Sequence, residues 1–286
     1  MIALTVGLAV LVGVSLGLLG GGGSILTVPL LAYVAGMDAK HAIATSLLVV
    51  GTTSAVAAIS HARAGRVQWR TGLIFGMAGM TGAYAGGLLA RFIPGSVLLV
   101  GFAVMMVATA VAMLRGRKNV GTPDPRHRIP VPKVIIEGLV VGLVTGLVGA
   151  GGGFLVVPAL ALLGGLPMPI AVGTSLVVIA MKSFAGLAGY LVAIDIDWRL
   201  AGMVTAAAVV GALIGARLTA LVNPDTLRKA FGWFVLAMSS VILVEEVHPV
   251  LGLSMAALTL VAGIVYYARG RRAADTPAGT LAHVEQ

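Results

Sequence analysis

The sequence predicts an all-α polytopic membrane protein in which two inverted repeats of five helical segments each are followed by one extra C-terminal span. Composition is the first reason: 59% of the 286 residues are hydrophobic and only 10% are charged, whereas a soluble domain carries roughly 25% charged residues. Apolar runs long enough to span a bilayer, at least ~18 residues, are the second reason. The third reason is an internal duplication that covers most of the chain.

The duplication is marked by a glycine-rich motif that interrupts a long apolar run in each half. Residues 20–29 read GGGGSILTVP, and residues 149–158 read GAGGGFLVVP. The motifs are 129 residues apart, and the same offset aligns other residues without a gap. These pairs are Pro29 with Pro158, Thr45-Ser46 with Thr174-Ser175, Trp69-Arg70 with Trp198-Arg199, and Phe102 with Phe231. A constant offset over this distance indicates two copies of one structural unit.

The apolar segments divide the chain into two repeats, a linker, an extra span and a tail. In the first repeat (1–114) we expect segments at 2–19, 24–35, 41–62, 70–91 and 95–114. In the second repeat (133–246) we expect segments at 133–149, 153–165, 168–193, 198–220 and 225–244. The linker covers 115–132, the extra transmembrane helix 247–268 and the polar tail 269–286. Each repeat thus contains one segment that is much shorter than the others.

Charge decides how the segments cross the membrane. The linker is basic, so it is expected in the cytoplasm, where basic loops are retained. If the chain turns back at each glycine motif, the loop with Asp195 and Asp197 falls outside and the arginine-rich tail falls inside, as the charge bias favours. A single crossing at the motif would reverse both. With the turn, each repeat makes an odd number of net crossings and the repeats face opposite ways, which is the arrangement of many secondary transporters.

The turn places both glycine motifs inside the membrane. Segments 24–35 and 153–165 would be about 18 Å long as helices, too short for a hydrocarbon core of about 30 Å. We therefore expect them to run from one surface to near the midplane, with the glycines at their inner tips. The free N–H groups and positive dipole end of a helix that starts there bind anions. The alternative is that the glycines only permit tight packing. The candidate substrate-binding residues of the motifs are Gly20, Gly21, Gly22, Gly23, Ser24, Gly149, Gly151, Gly152 and Gly153.

Polar residues follow each motif on the next span. Ser46, Thr53 and Ser60 recur at i, i+7 and i+14, which places three hydroxyls on one helix face. The second copy has Ser175, Lys182 and Gly189 at these positions. Hydroxyls in membrane helices often bond only to their own helix, so that alternative stays open. The candidate substrate-binding residues of the spans are Thr45, Ser46, Thr53, Thr174, Ser175 and Lys182.

Lys182 is the strongest of these candidates. It lies 11 residues from the end of span 168–193, about 16 Å of helix, which is too deep for its side chain to reach the surface. A charge at that depth is expensive and is functional by default. Because no Asp or Glu is expected at this depth, the natural counter-charge is a bound substrate. The alternative is a structural lysine held by carbonyls or by a neighbouring helix end.

Other classes of protein fit the sequence less well. The formal net charge of +9 is distributed over short loops, as membrane topology requires, and not over one face that could bind nucleic acid. Five scattered histidines and no cysteine predict no metal site, and no cofactor is expected. No phosphate-loop or nucleophile motif is present. The expected partners are a small anionic substrate and the lipid bilayer, and the small-residue helix faces are compatible with a homodimer.

The paired motifs of the form Gly-x-Gly-Gly-Gly-x-x-x-x-Pro, each followed by a Thr-Ser pair, resemble the TauE/SafE family of the sulfite exporter type over about residues 5–268. The resemblance implies a bacterial inner-membrane protein that exports sulfite or small organosulfonates such as sulfoacetate. It also implies that the two motifs and the two Thr-Ser pairs form the site. The copies differ, since Gly21 and Ser24 correspond to Ala150 and Gly153. Lys182 is not part of the resemblance.

We therefore expect a secondary transporter that exports a small sulfur-containing anion by alternating access around a midplane site. An importer or a channel for a related oxyanion is the alternative within the same class. A non-transporting membrane scaffold or accessory subunit is the alternative from another class. An intramembrane enzyme is less supported than either, because no nucleophile and base are paired at depth. Proton-coupled and facilitated export both remain open.

Overall fold

The computed structural model describes residues 2–19, 25–115, 131–148, 168–218 and 224–246, together with Val156, Leu160 and Leu166. Throughout these ranges the secondary structure is helical, without strands. The nine helices found there are α1 (Ile2–Leu19), α2 (Thr27–Pro29), α3 (Ala39–Arg63), α4 (Trp69–Ala90), α5 (Gly95–Arg115), α6 (Val131–Val148), α7 (Met168–Leu191), α8 (Trp198–Leu218) and α9 (Pro224–Glu246).

The eight long helices confirm the segments expected from the sequence, with every end within two residues of its predicted position. The duplication is visible in their bounds as well. The helices α1, α3, α4 and α5 begin 129 residues before α6, α7, α8 and α9, respectively. The linker from 116 to 130, both glycine motifs, most of segment 153–165 and the chain from 247 onward were also predicted, but they lie outside the described residues.

The short segment predicted at 24–35 differs from a regular α-helix. One α-helical turn, α2, continues into a π-helical turn at Leu30–Val34, in which the Ala35 N–H donates to the Leu30 carbonyl at 3.0 Å. Pro29 lies at the junction of the two turns, and it offers no N–H for an α-helical hydrogen bond to the carbonyl four residues earlier. The segment ends at Gly36, whose φ of 68° is the left-handed conformation that glycine adopts without strain.

Glycine brings the two copies into backbone contact. A side chain at Gly82 of α4 would overlap the Leu139 carbonyl of α6, and a side chain at the equivalent Gly211 of α8 would overlap the Val10 carbonyl of α1. Val10 is equivalent to Leu139, so the α4–α6 and α1–α8 interfaces are equivalent contacts. In the first the glycine belongs to the first copy, and in the second it belongs to the second copy. The small-residue faces of α4 and α8 therefore serve close helix packing within the chain.

The helices α3 and α7 are equivalent, yet they run antiparallel against each other. A Cβ on Gly51 would lie 3.3 Å from the Ser183 Cβ, and one on Gly186 would lie 3.4 Å from a Leu47 methyl group. Residue numbers therefore rise along α3 as they fall along α7. The middle of this contact lies at residues 52–53 of α3 and 181–182 of α7, which are equivalent positions. We call this point the central crossing.

Large apolar side chains cover much of the surface of the bundle. Leu11, Met77 and Ile136 are 61%, 65% and 61% exposed, respectively. Four of the described helical stretches are long and apolar enough to cross a membrane, and they are Ala39–Arg63, Trp69–Ala90, Ile170–Leu191 and Trp198–Gly215. Apolar side chains of this size face outward where the surrounding solvent is lipid.

Candidate substrate site

Lys182 is buried in the middle of the bundle. Its side chain is 1% exposed, and it lies 9 residues before the end of α7 and 14 after its start. Within the described helices, it is the one lysine, arginine or acidic residue more than two turns from both ends of its helix. The depth predicted from the sequence is therefore correct, and the side chain does not extend to the surface.

The ammonium group of Lys182 lies among α4, α6 and α7. Its Nζ donates a hydrogen bond to Thr145 Oγ1 of α6 at 3.2 Å. Thr145 in turn donates to the Val141 carbonyl at 2.7 Å, so its lone pairs face the ammonium. On the other side, a Cβ added at Gly79 of α4 would lie 3.9 Å from both Cβ and Cδ of Lys182. The glycine allows α4 to pack directly against the lysine stem.

The described residues supply this buried ammonium with a hydroxyl and not with a carboxylate. A hydroxyl offers a dipole, which compensates an elementary charge only in part. A buried charge without a charged partner costs several kcal/mol, even after relaxation of the surroundings. The arrangement is therefore suited to an anionic ligand that would complete the pair.

Thr145, the partner of Lys182, lies close in sequence to the second glycine motif. Thr145 belongs to the last turn of α6, which ends at Val148, immediately before Gly149. The Tyr190 hydroxyl of α7 donates to the Leu147 carbonyl at 2.6 Å and satisfies one of the free carbonyls at this helix end. Two side chains of α7 thus fix the end of α6 from which the motif begins. That end lies level with the last turn of α7.

The first copy has no equivalent of this polar cluster. Thr145, Lys182 and Tyr190 correspond to Leu16, Thr53 and His61. Thr53 is 1% exposed, and its hydroxyl donates to the Val49 carbonyl of its own helix at 2.7 Å. The charged cluster is therefore confined to the second copy.

The structure does not bring Thr53 and Lys182 together. Val49, one turn before Thr53 on the same face, packs in a cluster with residues of α1 and α8, whereas Lys182 lies against α4 and α6. The two side chains lie on opposite sides of the central crossing. Ser60, expected on the same face as Thr53, is exposed and bonds to the Ala57 carbonyl.

The Thr-Ser pairs are fully buried, but their hydroxyls differ in partners. Ser46 and Ser175 donate to the carbonyls of Ile43 and Val172, both at 2.8 Å. Thr174 Oγ1 accepts a hydrogen bond from the Gln68 N–H at 2.9 Å and so anchors the loop between α3 and α4. Thr45 Oγ1 has no hydrogen-bond partner among the described residues. Of the four residues, Thr45 retains a side-chain oxygen with unused bonding capacity.

The remaining predicted residues lie outside the part of the chain that is described. They are Gly20, Gly21, Gly22, Gly23, Ser24, Gly149, Gly151, Gly152 and Gly153. Their role in anion binding stays a prediction. Thr145 and Tyr190 are the residues of the cluster that the sequence analysis missed. The signal that could have found Thr145 is its place as a polar residue one turn before a glycine motif.

Fold and site together define the class of protein: a multi-pass helical membrane protein with a buried lysine at its centre. No cluster of three or more His, Cys, Asp or Glu that could hold a metal ion is present in the described ranges. The sequence profile of the family described as "Sulfite exporter TauE/SafE" matches residues 5–242. The chain belongs to this family of membrane transporters.

Curated relatives have the same general description. A "Probable membrane transporter protein" of Xylella fastidiosa (strain Temecula1) is 36% identical over 245 residues, which cover 82% of this chain and 92% of that protein. "Probable membrane transporter protein YdhB" of Bacillus subtilis is 29% identical over 77% of this chain and 91% of its own length. A protein of Methanocaldococcus jannaschii with the same general name, MJ0441, is 30% identical over 65% of this chain and 72% of its own length. No solved structure matches the chain at a significant level.

Proposed function

We propose that the protein exports a small sulfur-containing anion, sulfite or an organosulfonate such as sulfoacetate, across the bacterial inner membrane. The observation that carries this proposal is the buried Lys182, whose described partner is a neutral hydroxyl. An anion with several oxygens would accept hydrogen bonds from the ammonium and neutralise it. Membership of the sulfite exporter family supports the choice of a sulfur oxyanion.

The transport mechanism is alternating access between two inverted repeats. Support comes from the antiparallel contact of the equivalent helices α3 and α7, and from the exchanged contacts of Gly82 and Gly211. In inverted repeats, movement of one element against the rest opens the central site to each side in turn. In the proposed topology, the basic loop at Arg66 faces the cytoplasm and the acidic loop at the equivalent Asp195 faces outward, as the positive-inside bias favours. The C-terminus is then cytoplasmic.

Binding of sulfite to the purified protein tests the proposal. Calorimetry in detergent is expected to detect sulfite binding to the wild type, with sulfate and chloride as competing controls. Lys182→Ala removes a charge-assisted hydrogen bond worth about 1.5–3 kcal/mol, so affinity should fall at least about tenfold. Lys40→Ala is the matched control, because Lys40 lies at the first turn of α3 and its ammonium bonds to the Arg91 carbonyl.

Transport itself is measured with the protein alone in liposomes. Sulfite efflux that depends on Lys182 supports the transporter, and a dependence on the proton gradient would distinguish coupled from facilitated export. A folded wild type that neither binds nor moves sulfite or organosulfonates would contradict the proposal. Direction is tested in cells, where loss of an exporter should raise the internal sulfite concentration and loss of an importer should lower it.

A further inference from the structure

Two buried serine hydroxyls near the central crossing have no hydrogen-bond partner among the described residues. They belong to Ser54 of α3 and Ser183 of α7, which are 1% and 0% exposed. Other buried serines behave differently: the hydroxyls of Ser175 and Ser239 each donate to the carbonyl three residues earlier at 2.8 Å. Burial of a hydroxyl without a partner costs free energy, so each such group requires an explanation.

Ser54 and Ser183 are equivalent residues of the two copies, 129 positions apart. Each lies between one and two residues from the middle of the central crossing, about 2 Å along its helix axis. The Ser183 Cβ lies 3.3 Å from a Cβ added at Gly51, and Gly51 is one turn before Ser54 on the same face of α3. One hydroxyl from each copy therefore lies beside the point at which the copies meet.

We propose that Ser54 and Ser183 bind the transported anion where it passes between the two copies. The inference rests on the proposed function and extends it to two residues outside the Thr-Ser pairs and the glycine motifs. Each hydroxyl can donate one hydrogen bond, and sulfite and sulfonates present three oxygens as acceptors. Lys182 precedes Ser183 but points about 100° away around the helix, so its charge acts from the side of α4 and α6.

The position of the pair matches the demands of alternating access. In alternating access between inverted repeats, each copy adopts the conformation that the other copy had before. Groups beside the central crossing therefore have equivalent neighbours in both states. A ligand held there by one hydroxyl from each copy is bound with similar strength in both states. The two serines should therefore contribute equally. Lys182 has no charged equivalent in the first copy, so this symmetry argument does not apply to it.

Sulfite efflux from proteoliposomes tests the serine pair. Ser54→Ala and Ser183→Ala should each raise the KM for sulfite about tenfold, the effect of one lost charge-assisted hydrogen bond. Ser239→Ala is the control, because its hydroxyl is satisfied within α9 and the first copy already has Ala110 at the equivalent position. The KM of this control should equal that of the wild type.

Stability separates a binding role from a structural one. If the hydroxyls have no protein partner, the thermal midpoint of the unliganded alanine variants should equal or exceed that of the wild type. An unchanged KM in either variant, or a lowered midpoint in both, would overturn the inference while the proposed function stands. A folded wild type that moves neither sulfite nor organosulfonates would overturn the proposed function, and the inference with it.

Cysteine accessibility provides a second test, since the chain contains no cysteine. Ser54→Cys and Ser183→Cys should react with a water-soluble methanethiosulfonate reagent in sulfite-free buffer, because a transport path is hydrated. Ser239→Cys, which is buried against α9's own backbone and its neighbours, should stay unlabelled. Failure of both central cysteines to react, in variants that remain folded, would remove the pair from the path.

Discussion

Lys182 and Thr145 form a polar pair, 3.2 Å apart, in a bundle whose other buried side chains are mostly apolar. The threonine hydroxyl is committed as a donor to Val141 and Gly142, so it can only accept from the ammonium. The pair is therefore directional: Thr145 orients the lysine toward the last turn of α6. A binding lysine needs such a fixed position to hold a ligand.

Replacement of Thr145 by valine tests this orientation. Valine has the same shape but no acceptor, so the buried ammonium loses its hydroxyl partner. We expect Thr145→Val to lower the free energy of unfolding by about 1–3 kcal/mol and to weaken sulfite binding. The thermal midpoint in detergent without sulfite measures the first effect, and calorimetry measures the second.

Two further variants make the result specific to the pair. Thr81→Val removes a hydroxyl that bonds to the Met77 carbonyl of its own helix on an exposed face, so it should change little. Lys182→Met in the Thr145→Val background removes the unpaired charge and should restore most of the lost stability. If Thr145→Val has no larger effect than Thr81→Val, the hydroxyl does not hold the lysine.

At the level of helices, stability depends on glycines that let backbones touch. In α8, Gly211 lies against the Val10 carbonyl of α1, whereas nothing lies within 4 Å of a Cβ added at Gly202. Gly211→Ala must therefore push the two helices apart, as must Gly82→Ala at the equivalent contact of α4 and α6.

The two kinds of glycine in one helix give opposite predictions. Gly211→Ala should lower the thermal midpoint and the yield of monodisperse protein from detergent. Gly202→Ala should leave both unchanged or raise the midpoint, since alanine favours the helix by about 1 kcal/mol. Size-exclusion chromatography after heating compares the variants. Equal midpoints for the two would show that α1 and α8 are not held by close backbone contact.

Helices were the most predictable part of this protein. Apolar runs of bilayer length fix where each long helix begins and ends, and the 129-residue offset fixes which helices are equivalent. The π-helical turn at Leu30–Val34 was not predicted, because an apolar pattern indicates a helix but does not distinguish hydrogen bonds over five residues from those over four. The side chains that contact one another were less predictable still.

The depth of Lys182 follows from its distance to the ends of a helix, so the sequence was sufficient to find it. The sequence was not sufficient to find its partner, because Thr145 and Lys182 are brought together by the packing of α6 against α7. The same packing explains why Thr53 lies elsewhere: Thr53 and Lys182 both point away from the central crossing, and equivalent residues that point away from it lie on opposite sides of it. The sequence also could not show how the two threonines differ. The Thr174 hydroxyl anchors a loop, whereas the Thr45 hydroxyl has no hydrogen-bond partner among the described residues.

At the level of the whole molecule, the two copies share a scaffold but differ in their surroundings. Gly189 and Tyr190 at the end of α7 are buried, and a Cβ on Gly189 would meet the Tyr84 carbonyl of α4 at 2.6 Å. The equivalent residues at the end of α3, Ser60 and His61, are exposed and half-buried. The equivalent ends of α3 and α7 therefore differ both in residue type and in burial.

The proposed inverted arrangement predicts that equivalent loops lie on opposite sides of the membrane. Arg66 and Asp195 are exposed residues at equivalent positions in the α3–α4 and α7–α8 loops, and the chain has no cysteine that would compete for label. We expect a membrane-impermeant maleimide to label Arg66→Cys only in inside-out vesicles and Asp195→Cys only in right-side-out vesicles. Labelling after detergent solubilisation controls for reactivity. Two parallel repeats would instead expose both cysteines on one side. That result would rule out a mechanism in which the copies exchange conformations, but would leave the Lys182 site to be explained by a different movement.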